Sequence, residues 1–134
     1  MIDIENEVFQ TCANAFRATY PDGFIAREYV PQPPKFPAVA VVETDNTVLT
    51  SGRDSEAIEN YADVMYQVDV YSNLNNGKKA QAKAIAALID AQFARMGFTR
   101  IFLQPVQNMN DAKIYRMTGR YRAAVSKYQE IFRR

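Results

Sequence analysis

Few side chains in this sequence could do chemistry, and most of those are arginines and carboxylates. In "IYRMTGRYRAAV", residues 114–125, strand-like alternation puts Arg116, Arg120 and Arg122 on one side with Ile114, Thr118 and Ala124. Tyr115, Met117, Gly119, Tyr121, Ala123 and Val125 take the other side. Arginines interleaved with aromatics suggest a platform for single-stranded nucleic acid, where bases stack and phosphates pair on one surface. Here the two tyrosines face away from the cations, which favours a second reading: ion pairs with neighbouring strands or subunits. "ADVMYQVDVYS" alternates in the same way, with Val64, Tyr66, Val68 and Val70 on one face and Met65, Gln67, Asp69 and Tyr71 on the other. Asp63 and Asp69 therefore share a face. Together with the nearby Asp54, Glu56 and Glu59 they are the candidates for a magnesium site of the kind used in phosphoryl chemistry. A polar strand face beside a solvated acidic loop accounts for the same residues without a metal.

Other chemistry is excluded by composition. The 134 residues contain no histidine, which removes the commonest general base and transition-metal ligand. Cys12, the single cysteine, rules out an internal disulfide and falls on the apolar stripe of a helix, so it reads as core rather than nucleophile. Phosphate-cradling glycine motifs and paired-thiolate spacings are absent. The expectation is a chain with no catalytic, metal or cofactor site. No apolar run approaches the ~20 residues of a bilayer span, and the opening "MIDIENEVFQ" is acidic where a signal peptide is basic, so a membrane partner is not expected and a cytoplasm-like compartment is.

The elements that would position these residues follow from periodicity. A helix is expected from Asp3 to about Tyr20, with Ile4, Val8, Cys12, Ala15, Phe16 and Thr19 as its stripe, flanked by Phe9 and Ala13. "FIAREYV" reads as a strand, and "PQPPKFP" (31–37) as a stiff connector, because proline fixes φ and lacks a donor. "AVAVVET" reads as a central strand covered on both faces, followed by a long polar loop over about 45–60. After the strand that carries Asp63 and Asp69, a second helix is expected to start with Asn75 or Asn76 as its cap, to bury Ala82, Ile85, Ala86, Ile89, Phe93 and Met96, and to stop at Gly97. "TRIFLQPVQ" and the arginine strand then form a hairpin, with Pro105 marking an edge or bulge. The tail, 126–134, is either a short helix or an extension that can move. The sum is a single α+β domain, 1–134: a mostly antiparallel sheet of about five strands with two helices packed on it, in the order α-β-β-β-α-β-β.

Charge is unevenly distributed along the chain. Residues 1–77 carry four basic and twelve acidic side chains, a formal −8; residues 78–134 carry twelve basic and three acidic, a formal +9. Either the halves interleave and cancel in the fold, or the subunit has unlike faces that can associate head to tail. Lys78 and Lys79, in the first turn of the second helix, oppose its dipole, which solvation or a neighbour's acidic surface would relieve. They join Arg53, Asp54, Glu56, Glu59 and the three strand arginines as candidate interface residues.

The runs "VMYQVDVYSN", "GKKAQAKAIAALID" and "RMGFTRIFLQPVQNMNDAKIYRMTGRYRA" give the chain a resemblance to the tail terminator proteins of long-tailed bacteriophages, also called tail completion or tail-to-head joining proteins. The resemblance covers most of the chain and is one of whole-chain pattern, with no catalytic residue to carry over. It implies a non-enzymatic virion protein forming a ring, hexameric in this family, at the head-proximal end of the tail tube. There it stops tube growth and meets the head connector, while DNA passes through its channel without specific binding. The implied partners are further copies of the chain, the tail tube protein and the connector protein; the implied place is the neck of the virion, with assembly in the host cytoplasm. A small nucleic-acid-binding or processing protein using Arg116, Arg120 and Arg122 is the alternative.

Overall fold

The computed structural model describes residues 1–48, 61–107 and 113–132. Helix α1 runs Glu5–Thr19, and the Asp3 carboxylate accepts a 3.0 Å hydrogen bond from the Glu5 backbone N–H ahead of its first turn. Ile4, Val8, Cys12 and Phe16 are buried as their spacing predicts, but Phe9 and Ala13 are the remaining buried members, while Ala15 is half-buried and Thr19 exposed. The buried stripe turns toward Phe9 because α1 packs on the second helix as well as on the sheet.

Strand β1 is only Phe24–Ala26, the first three residues of the expected "FIAREYV", and it pairs in parallel with β2, Ala38–Val48. A parallel pair cannot be closed by a tight turn, so the chain leaves the sheet after Ala26 and returns through the proline-rich connector. At Gly23 the approach to α1 is too close for a side chain, since an added Cβ would sit 2.6 Å from the Phe16 ring. In β2, Ala38–Val41 are all buried, as a β-branched run covered on both faces should be. The strand then continues through 45–48, where a loop was expected. A register shift between Glu43 and Asp45 lets this polar half stay paired with β3, Tyr61–Ser72.

Helix α2 spans Lys78–Met96 and ends on Gly97 at φ 97°, the left-handed conformation that glycine adopts without strain. Its start departs from expectation: Gly77, at φ 93°, occupies the cap position and no asparagine side chain caps the helix. Strands β4 (Thr99–Val106) and β5 (Tyr115–Ser126) are antiparallel, and a two-residue strand, β6 (Ile131–Phe132), pairs with the end of β5, so the tail is an extension of the sheet rather than a helix. The order across the sheet is β1-β2-β3-β5-β4, leaving Pro105 on an edge strand where its missing N–H costs no ladder bond.

Both helices lie on one face of the sheet. Val39, Val41, Val64, Tyr66, Val68, Val70, Met117, Tyr121, Ala123 and Val125 meet them across the core. Phe93 of α2 stacks on Tyr121 with ring centres 4.3 Å apart and meets Phe98 edge-on at 5.0 Å. Cys12 is fully buried among these residues and burial pushes its thiol up to about 12, so it stays protonated.

Candidate functional site

The other face of the sheet carries the arginines. β3 and β5 pair over twelve residues without a register break, which sets Arg116 opposite Tyr71, Arg120 opposite Gln67 and Arg122 opposite Met65. Each arginine reaches a β3 side chain directly opposite or one diagonal away. Arg116 donates from Nε at 3.0 Å and from Nη2 at 2.7 Å to Oδ1 of Asp69. Thr118 donates its hydroxyl to the same oxygen at 2.6 Å, and Gln67 donates its amide to Asp69 Oδ2 at 3.2 Å. Asp69 is 1% exposed and so is fully committed to these four donors. Burial opposes the Arg116 charge, but the hydrogen bonds and charge of Asp69 outweigh it and hold the guanidinium above its ordinary range. Arg122 pairs with Asp63, donating from Nε at 2.6 Å.

Asp63 and Asp69 do share a face, but the arginines occupy both. No three carboxylates among the described residues come together as a metal site requires. Arg120 differs from its neighbours. Its Nη2 donates to the Gln67 amide oxygen at 2.8 Å, its Nε is buried without an acceptor, and its partner carries no charge. The chain Arg120–Gln67–Asp69–Arg116 is thus one hydrogen-bonded network with a cation at each end and one carboxylate between.

Alternation along β5 alone sends its tyrosines to the opposite face, yet neighbouring strands bring other aromatics to the arginines. The Arg120 guanidinium lies 5.6 Å from the centre of the Phe102 ring of β4, and Arg116 lies 5.6 Å from that of Tyr71. These contacts depend on strand order, which one strand's periodicity does not contain. Tyr71 is 2% exposed, so no base can reach its ring, and its hydroxyl is pushed up to about 12 by burial and then by Asp69. The face is a surface of paired side chains, with the Tyr71 hydroxyl and Arg120 Nε left without partners, more than an aromatic platform.

Of the other candidates, Lys78 is half-buried and donates from Nζ to the Lys113 carbonyl at 3.3 Å, while Lys79 is exposed. The structure does not bring either lysine into the arginine network. Arg53, Asp54, Glu56 and Glu59 lie outside the described residues. Sequence reasoning passed over a second acidic group, where Asp3 and Glu5 at the start of α1 lie near Glu43 and Asp45 of β2. Glu43 accepts a 3.3 Å hydrogen bond from the Tyr66 hydroxyl, and its carboxyl is raised by burial and by the three like charges, against that hydrogen bond. These residues are separated by about forty positions in the chain, and only the fold joins them.

The fold and this face define a class: a small α+β subunit with a helix-backed sheet whose open face is built of ion pairs and hydrogen bonds. The family is fixed by residues 7–126, which match the family described as "Tail completion protein gp17"; the chain belongs to this family of phage tail structural proteins. Among solved structures it is similar to a chain of the virion of a native gene transfer agent particle, with a TM-score of 0.61 and 16% identity over 89% of this chain and 91% of that one. At that identity the likeness is one of fold. No curated protein sequence matches the chain.

Proposed function

We propose that the protein is a non-enzymatic subunit that assembles into a ring, a hexamer, at the head-proximal end of the tail tube, ends tube growth and joins the tail to the head connector. The observation that carries this reading is membership of the tail completion family across almost the whole chain. In support, the gene transfer agent chain of like fold belongs to a virion. The subunit would work in the neck of the particle, with copies of itself, the tube protein and the connector protein as partners. Its arginine strand is engaged mainly within the subunit, two of the three cations being paired with Asp63 and Asp69, so DNA crossing the ring would meet a largely neutralised surface.

Lys78, Lys79 and the arginine face are proposed as one side of the subunit contact, with the segment holding Arg53, Asp54, Glu56 and Glu59 on the other. Rim charges are individually weak, but a ring repeats each one at every interface. Native mass spectrometry tests both levels. The expected result is a hexamer that dissociates as salt is raised and that is weakened by the double variant Lys78→Glu, Lys79→Glu. A hexamer indifferent to both would remove this contact, and a monomer under all conditions, with or without tail tubes, would remove the ring.

A further inference from the structure

We propose that Asn76 is a site of spontaneous, backbone-assisted deamidation, and that its conversion gives α2 the N-terminal carboxylate it lacks. The reaction needs no enzyme and no bound ligand, only water.

Asn76 and Gly77 form the one Asn-Gly pair in the chain. In such a pair the backbone nitrogen of the glycine can attack Cγ of the asparagine, because the following residue has no β-carbon to crowd the approach. A bond forms between the Gly77 nitrogen and Asn76 Cγ. The Cγ–Nδ2 bond breaks, and the amide leaves as ammonia with the proton that the Gly77 nitrogen has given up. The five-membered succinimide then takes up one water. Opening at Cγ gives aspartate, and opening at the main-chain carbonyl gives isoaspartate, in which the backbone runs through the side chain. Either product has a carboxyl in place of the amide and is about 1 Da heavier.

The structure leaves this pair open to the reaction. Asn76 and Gly77 are exposed ahead of α2, and the Asn76 side chain does not cap the helix. A Cβ placed on Gly77 would meet nothing within 4 Å. Among the described residues the Gly77 N–H has no hydrogen-bond partner, while its carbonyl accepts from the Gln81 N–H at 2.9 Å. Asp22–Gly23 is the contrasting case. An aspartate before glycine can close the same ring by losing water, but the Gly23 N–H donates to the Tyr20 carbonyl at 3.0 Å, and the Phe16 ring fills the space beside Gly23. Closure there would have to break that turn and its packing on α1. The other described asparagines, Asn6, Asn14, Asn46, Asn73 and Asn75, all precede residues with side chains.

The product charge falls where α2 has none of its own. The first turn holds no acidic residue and begins with Lys78 and Lys79, and no side chain caps it. A carboxylate at position 76 faces the positive end of the helix and lies beside both lysines, so the aspartate form begins the helix better than the asparagine form does.

The test is peptide mapping by mass spectrometry of the purified full chain, folded and in guanidinium chloride, after incubation at pH 7 and pH 9. In the folded chain the gain of about 1 Da should be concentrated at Asn76, in both aspartate and isoaspartate forms. It should grow faster at pH 9, because the attacking nitrogen must lose its proton, and Asn76→Gln should abolish it. Isoaspartate at Asp22, read by an isoaspartate-specific methyltransferase, should accumulate only in the unfolded chain. No gain at Asn76 in the folded chain, whether or not the unfolded chain converts, would overturn the assignment. Asn76→Asp, the product itself, should melt about 1–4 °C above the parent at low salt, an advantage that shrinks as salt rises. A variant no more stable than the parent would overturn the role given to the new charge.

Discussion

Asp69 is the residue on which the open face depends most. It sits between two strands with four donors aimed at it and almost no access to water, so its removal leaves Arg116 and Thr118 without their acceptor. The Arg116 side chain keeps 19% exposure and can recover some solvation. Asp69→Ala is therefore expected to destabilise the fold by about 2–4 kcal/mol, somewhat less than breaking a wholly buried pair, as read by urea unfolding. Asp69→Asn, which keeps an acceptor for Thr118, should lose less. Glu43 makes the opposite prediction. Its carboxyl is raised above its ordinary 4.5 in the folded chain, mainly by burial, so the folded state binds the proton more tightly than the unfolded state does. Its contribution is fully present below 4.5 and is lost as pH rises through the raised value. Glu43→Gln cannot ionise and still accepts from Tyr66. Thermal melts should find it more stable than the parent near neutral pH, with the difference vanishing at and below pH 4.5. A variant less stable at pH 7 would show that the Glu43 charge is compensated within the subunit.

At the scale of elements, α2 is anchored through Phe93, which is fully buried between Tyr121, Phe98 and Tyr66. Phe93→Ala should cost about 3–5 kcal/mol in a denaturation curve, because the cavity is bounded by rings held on the sheet that cannot collapse into it. A loss below about 1 kcal/mol would mean that α2 is not packed as described. This helix was the most legible part of the sequence: its 3.6-residue period, its terminal glycine and the burial of Ala82, Ile85, Ala86, Ile89 and Phe93 hold because each is a local property, while Met96 is only half-buried and Gln92 is buried in addition. What was not legible depends on partners distant in the chain. The strand FIAREYV stops at Ala26, where its pairing with β2 ends, and β2 outlasts its apolar run because β3 continues to pair with it. The face of β5 that bears the arginines was readable from alternation. That Arg116 and Arg122 would pair with Asp69 and Asp63, and that Phe102 and Tyr71 would lie against Arg120 and Arg116, is decided by strand order and register.

At the scale of the molecule, the strong charge asymmetry along the chain is cancelled in part by interleaving. Acidic β3, from the first half, lies between β2 and the arginine-bearing β5 of the second half, and the ion pairs of Asp63 and Asp69 cross that boundary. Arg120 is left with the neutral Gln67 as its hydrogen-bond partner on this face. A subunit of this kind suits an assembly in which weak contacts are repeated by symmetry, and it accords with membership of a tail completion family. The central claim is that the chain closes the head-proximal end of a tail tube. Its most direct test is negative-stain electron microscopy of tail tubes polymerised with and without the purified protein. The account predicts a six-fold ring seated at one end of each tube and tubes that stop growing once it is added; bare tube ends, unaltered growth and single subunits in the background would contradict it.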